Sequence, residues 1–180
     1  MIDIKAHNQF LKEASQKLLI EDKRLFALWC MDFLLRLPDA LQIINKYNNL
    51  NETEESLMQN LAKGNVAKYQ EAIEKTLNDM DEYADDYEEI DYPDIEILSL
   101  FDHCVCTIYQ LAKSTIQPCG EGVINLLDYY EQFAEEPGIW TELLEREITN
   151  QHKFVDDLIN KIEVYETKYH EIYDNVNFVI

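Results

Sequence analysis

Apolar residues recur along this chain at spacings of three and four, the period of helices that bury one face. Residues 3–20 place Phe10, Leu11, Ala14, Leu18 and Leu19 on one stripe, which predicts a first helix. Leu25 to Leu37 (LFALWCMDFLLRL) is apolar nearly all round, interrupted by Asp32 and Arg36, and reads as the central buried helix. Pro38 disfavours helical geometry in the residue before it, so this helix should stop near Leu37. The same proline suits the first turn of a helix over 38–47 that presents Leu41, Ile44 and Tyr47. Asn48 to Asn51 reads as a loop, with Asn51 and Glu54 spaced like an N-cap and its partner. A short helix over 52–62 should end at Gly64. The next, over 65–83, carries Val66, Tyr69, Ile73, Leu77 and Met80. After a break at Pro93, a helix over 94–116 turns Ile97, Leu98, Phe101, Cys104, Val105, Ile108, Leu111 and Ala112 inward. Gln117-Pro118-Cys119-Gly120 reads as a turn before a helix over 121–135, and Glu136-Pro137-Gly138 as another turn.

The last element has the most regular pattern. Ile148, Val155, Ile162, Tyr169 and Val176 recur every seven residues, interleaved with Leu144, Gln151, Leu158, Tyr165 and Ile172. Gln151 is the one seam position that is neither apolar nor aromatic. A helix from about Thr141 to Asn175 would be roughly 50 Å long at ~1.5 Å per residue. Its far half either lies along the bundle or projects. A projecting half would offer Leu158, Ile162, Tyr165, Tyr169 and Ile172 as the seam of a homodimer.

These elements predict an all-α fold, a single-domain bundle of about seven helices with a long C-terminal helix. The chain of 180 residues is long enough for one sizeable core. Four Gly and four Pro leave few sites for the turns of an all-β fold. No repeat or low-complexity linker divides the sequence, so 1–180 is expected to form one domain.

Charge narrows the function classes. With 36 acidic against 15 basic residues the formal net charge is −21. Long-range repulsion then opposes binding to a nucleic-acid backbone or an anionic membrane and favours a positive partner. No apolar run approaches the ~20 residues of a bilayer span. The opening Met-Ile-Asp-Ile-Lys-Ala-His lacks a basic start followed by an apolar core, and the expectation is cytoplasmic, with reduced cysteines.

Motifs for catalysis and cofactors are lacking. There is no G-x-S-x-G, no phosphate-cradling glycine loop and no H-E-x-x-H, and no cofactor is expected. Cys104 and Cys106 differ by about 200° around a helix and cannot share an ion, so no metal site is expected. Asp79-x-Asp81 opens like a calcium loop, yet Ala84 and Ile90 stand where Gly and Glu are needed. Asp32 in the apolar helix requires a partner, and Arg36 lies four residues on. His152, among Glu145, Glu147 and Asp156, is expected on the surface. The chain is not expected to be an enzyme; that reading would need buried carboxylates such as Asp32 and Asp102.

One stretch stands apart. From Thr76 to Ala112, 37 residues contain eleven Asp or Glu and neither Lys nor Arg. Its second half is mostly apolar helix, where burial explains the missing cations. Its first half sets Tyr83 and Tyr87 four apart among Asp79, Glu82, Asp85, Asp86, Glu88 and Glu89. Tyrosines supply rigid contact area, and carboxylates steer and pair with Lys or Arg.

Several segments resemble the YjaG-like family of small all-helical bacterial proteins of unassigned function. They are Leu25 to Leu35 running into Pro38, Ile97 to Ala112 with Asp102 and Cys104 at its centre, and Trp140 to Glu147. The acidic stretch 79–96 and the heptad tail depart from that family's pattern. The resemblance implies an all-α bacterial protein and transfers no catalytic residue. The functional expectation is a protein-binding module of the immunity or inhibitor type. It would neutralise a basic bacterial toxin through the eight acidic and tyrosine residues just named. The alternative is a homo-oligomeric scaffold assembled through the heptad over 144–176.

Overall fold

Capping chemistry decides where each apolar stripe becomes a helix in the computed structural model, which describes residues 3–82, 92–133 and 137–163. Those residues form eight helices, and there is no strand among them. The first, α1 (Ile4–Ala14), opens with the Asp3 carboxylate accepting the Ala6 N–H at 3.0 Å. It stops well short of residue 20. Ser15 donates its hydroxyl to Leu11 O at 2.7 Å and accepts the Ile116 N–H at 2.9 Å, so the helix end is tied to a distant loop. Leu18 is buried from that loop, whereas Leu19 is 60% exposed. The second helix, α2 (Ile20–Leu35), begins five residues before its apolar run, where Asp22 accepts the Leu19 N–H at 3.0 Å.

Pro38 does not open the next helix. Asp39 takes a left-handed conformation (φ 58°), one that Asp tolerates better than most residues, and α3 (Ala40–Tyr47) starts after it. The fourth helix, α4 (Glu54–Lys63), is capped by Thr53 rather than Asn51. Thr53 and Ser56 exchange hydrogen bonds at 3.1 and 3.0 Å, and Gly64 closes the far end at φ 75°. Then follow α5 (Ala67–Glu82), α6 (Tyr92–Tyr109), α7 (Gln117–Phe133) and α8 (Pro137–Ile159). Pro118 and Pro137, expected in turns, both stand within the first turns of helices, where a missing N–H costs nothing.

One contiguous core draws residues from all eight helices, which extends the expected seven by one. At its centre α2 packs on α6, α7 and α4, and α6 also meets α3 and α5. Phe26, Trp29, Met31, Phe33 and Leu34 of α2 are fully buried. This agrees with the apolar-all-round reading of 25–37.

Two glycines let α7 approach its neighbours on opposite sides. A Cβ at Gly120 would stand 2.5 Å from Leu11 Cδ1 and 2.6 Å from Gln151 Oε1; one at Gly122 would stand 2.9 Å from Leu100 Cδ1. Gly120 is thus a close-packing residue inside a helix, not a turn residue.

Lys23 is 8% exposed and donates to Leu111 O at 3.2 Å and Ser114 O at 2.8 Å, closing the chain that leaves α6. Lys23→Met keeps the stem and removes the ammonium. It should lower the free energy of unfolding by about 2 kcal/mol, because charge-assisted bonds are lost and carbonyls are left unsatisfied. Urea denaturation checks this; an unchanged midpoint would mean that water satisfies those carbonyls equally well.

Candidate functional site

The acidic segment joins two packed helices. Tyr69 of α5 meets Phe101 of α6 edge-on at 6.2 Å, so the chain leaves α5 at Glu82 and re-enters at Tyr92. Of the predicted partner-binding residues, Asp79 is half-exposed on α5 and Glu82 is the last residue of that helix. Tyr83, Asp85, Asp86, Tyr87, Glu88 and Glu89 lie outside the described residues. Beside the segment, Asp94 and Glu96 are half-exposed in the first turns of α6. Leu77 of α5 (53% exposed) and Ile95 of α6 (46%) present apolar surface. None of the ion pairs among the described residues involves Asp79, Asp94 or Glu96. Behind Asp94, Tyr130 is buried, and its hydroxyl pKa is pushed up to about 12 by burial first, then by Tyr129 and Asp94.

Six of the fifteen basic residues are paired away from this segment. Arg24 pairs with Glu21, Lys68 with Glu52, Arg146 with Glu142, Lys153 with Asp157 and Lys161 with Asp22. Arg36 Nε lies 3.0 Å from Asp32 Oδ2, the pair expected from their spacing. That pair lines an open groove of about 430 Å³ with Glu54, Glu55 and Met58.

The predicted oligomer seam is divided by the end of α8. Leu144, Gln151, Val155 and Leu158 are buried in the chain's own core. The helix stops at Ile159, not near Asn175. Lys161 is left-handed (φ 57°), its N–H bonds Leu158 O at 3.1 Å, and the Ile162 N–H bonds Asp157 O at 2.9 Å. This is a Schellman ending without its usual glycine. Lys161 Nζ then holds Asp22 Oδ2 at 2.7 Å, pinning the turn to α2. Ile162 is 52% exposed. Tyr165, Tyr169 and Ile172 lie outside the described residues.

A second cluster was not foreseen. His7 of α1 and Glu147 and Gln151 of α8 are buried, and His152 is half-buried beside them. Gln151 Nε2 donates to Gly120 O at 3.1 Å and to Glu147 Oε1 at 3.0 Å. Its Oε1 lies 2.8 Å from His7 Nε2, and His7 Nδ1 lies 3.1 Å from His152 Nε2. Phe10 stacks on the His152 ring at 3.8 Å, so His152 is not the solvated residue its acidic neighbours suggested. Burial lowers both imidazole pKa values; the Gln151 bond and Glu147 oppose the shift at His7, and Asp156 opposes it at His152. The sequence held two signals: Gln151 breaks an apolar seam, and His7 falls on the stripe of Leu11 and Ala14.

Cys104 is fully buried, with Cys106 half-buried on the other side of α6, and burial pushes the Cys30 and Cys104 thiols well up. Such thiols are poor nucleophiles. Asp102 is half-buried, and burial raises its carboxyl pKa against the pull of His103. Among the described residues no three His, Cys, Asp or Glu side chains are grouped to hold a metal ion. No helix among them is long and apolar enough to cross a membrane. None of the family models, curated proteins or solved structures compared with the chain matches it.

Proposed function

We propose that this chain is a non-enzymatic binding module for a basic protein, of the immunity or inhibitor type that neutralises a bacterial toxin. The observation that carries the reading is the α5–α6 end of the bundle. A run of eleven carboxylates without a cation begins on α5 and ends on α6, and no ion pair among the described residues involves its members Asp79, Asp94 or Glu96. An acidic rim with exposed Leu77 and Ile95 fits a partner that brings Lys and Arg around an apolar centre. Tyr83 and Tyr87 are the proposed anchors and Asp85, Asp86, Glu88 and Glu89 the steering charges. The YjaG-like resemblance adds a helical scaffold to this reading and no site residue.

The scaffold alternative has less support. Of its described seam positions, Leu144, Gln151, Val155 and Leu158 are buried within the chain and Ile162 is exposed, and the backbone turns at Lys161 between them.

The test is binding to the purified basic nuclease-like domain of a toxin encoded beside this gene, measured by calorimetry at several salt concentrations. Affinity should fall steeply with salt. Changing Asp85, Asp86, Glu88 and Glu89 to Ser should cost about 100-fold, mainly in association rate, and Tyr87→Ala about 10-fold or more. Salt-independent affinity, or no loss in either variant, would refute the assignment of this face.

A further inference from the structure

The bonds around Gln151 leave one arrangement of protons. Its Nε2 faces two acceptors, Gly120 O and Glu147 Oε1, so its Oε1 must be the atom turned to His7. His7 Nε2 therefore carries a hydrogen and donates. A neutral His7 then has a bare Nδ1, and His152 Nε2 must donate to it across 3.1 Å. Four side chains thus form one directed chain from the half-exposed His152 through His7 and Gln151 to the buried Glu147. It spans from α1 to α8 and clasps the backbone of α7 at Gly120.

This chain tolerates one extra proton and not two. A first proton can sit between His7 Nδ1 and His152 Nε2 if His152 moves its own hydrogen to Nδ1. A second would set N–H against N–H at 3.1 Å, with two cations side by side. The charged groups facing the pair are Glu147 and Asp156, both from α8. On α7, Glu121 bonds the neighbouring Asn8, and on α2, Cys30 faces Glu147. No second carboxylate reaches His7 from α1, α2 or α7 among the described residues.

We propose that the His152–His7–Gln151–Glu147 chain is a proton-operated latch that holds α1 against α7 and α8 and lets α1 loosen when both imidazoles are protonated. The rest of α1 is suited to loosening. It lies at the start of the described fold and meets α7 and α8 through a short apolar stripe of Leu11 and Ala14, with Ile4 and Phe10 partly covered. Burial holds both imidazoles below the ordinary value of about 6.5, so the latch is complete above that pH and weakens as pH falls below it.

Native-state hydrogen exchange on the full chain tests this, with rates corrected for intrinsic exchange. Between pH 7.5 and about pH 5, the amides of Phe10 to Ser15 should lose protection about tenfold or more, while those of Phe26 to Leu34 keep theirs. His152→Gln retains an N–H donor for His7 Nδ1 and can turn its amide oxygen to a protonated His7. That variant should keep α1 protected at both pH values. Three results would each overturn the latch: flat protection of α1 in the natural chain, a parallel loss in α2, or an undiminished pH response in His152→Gln.

Discussion

Trp29→Ala should destabilise the protein by about 4 kcal/mol, the largest loss expected from any single truncation here. The indole is fully buried in α2, stacked on Phe154 of α8 at 4.9 Å and tilted against Phe26 at 5.6 Å. Phe26 in turn lies 6.0 Å from Phe154, so three rings from two helices close on one another. Removing the middle ring takes away its transfer energy and leaves a cavity that rigid neighbours cannot fill. Phe154→Leu should cost less, because a branched aliphatic group still covers the indole. Chemical denaturation followed by far-UV circular dichroism gives both values. A loss under 1.5 kcal/mol for Trp29→Ala would show that the ring triad collapses freely, which contradicts a core of fixed packing.

The position of Trp29 was legible because burial on all sides leaves a plain mark in sequence. A run such as LFALWCMDFLLRL has no polar face to give to solvent, and α2 accordingly lies among α3, α4, α6, α7 and α8. The period of three and four marked most of the other helices, while the one expected over 52–62 rests on its flanking cap residues, and the expected count is about seven against eight. Their ends were less legible where the decisive partner is remote. Ser15 ends α1 together with Ile116, 101 residues away, and Lys23 closes the segment after α6 from 88 residues away. No local pattern encodes such bonds. Heptad spacing also overran α8: apolar residues continue past Ile159, but spacing says nothing of a backbone that turns at Lys161 and is held by Asp22. Net charge pointed to the acidic α5–α6 connection directly, since charge needs no neighbour to be read. The His7–Gln151 cluster needed contacts between residues 144 apart, and only its oddity within an apolar stripe was visible beforehand.

That oddity supports a prediction whose sign separates two accounts of α8. If residue 151 were a heptad seam position, Gln151→Leu would replace a polar defect by the preferred side chain and stabilise the protein. The structure requires the reverse. The Gln151 side chain is fully buried and serves three groups, His7 Nε2, Glu147 Oε1 and Gly120 O, all within 3.1 Å. Leucine has nearly the same volume but satisfies none of them, and each buried polar group that loses its partner costs about 1–3 kcal/mol. Some is recovered through apolar transfer of the new side chain, about 1–2 kcal/mol. Gly120 leaves little room for adjustment, since Leu11 and residue 151 already fill the space where its Cβ would be. The net expectation is a loss of about 3 kcal/mol, concentrated in the docking of α1. Equilibrium unfolding gives the total, and hydrogen exchange should show α1 losing protection ahead of α2 and α6. A more stable Gln151→Leu protein would mean that the seam, and not the polar chain, governs how α8 is held.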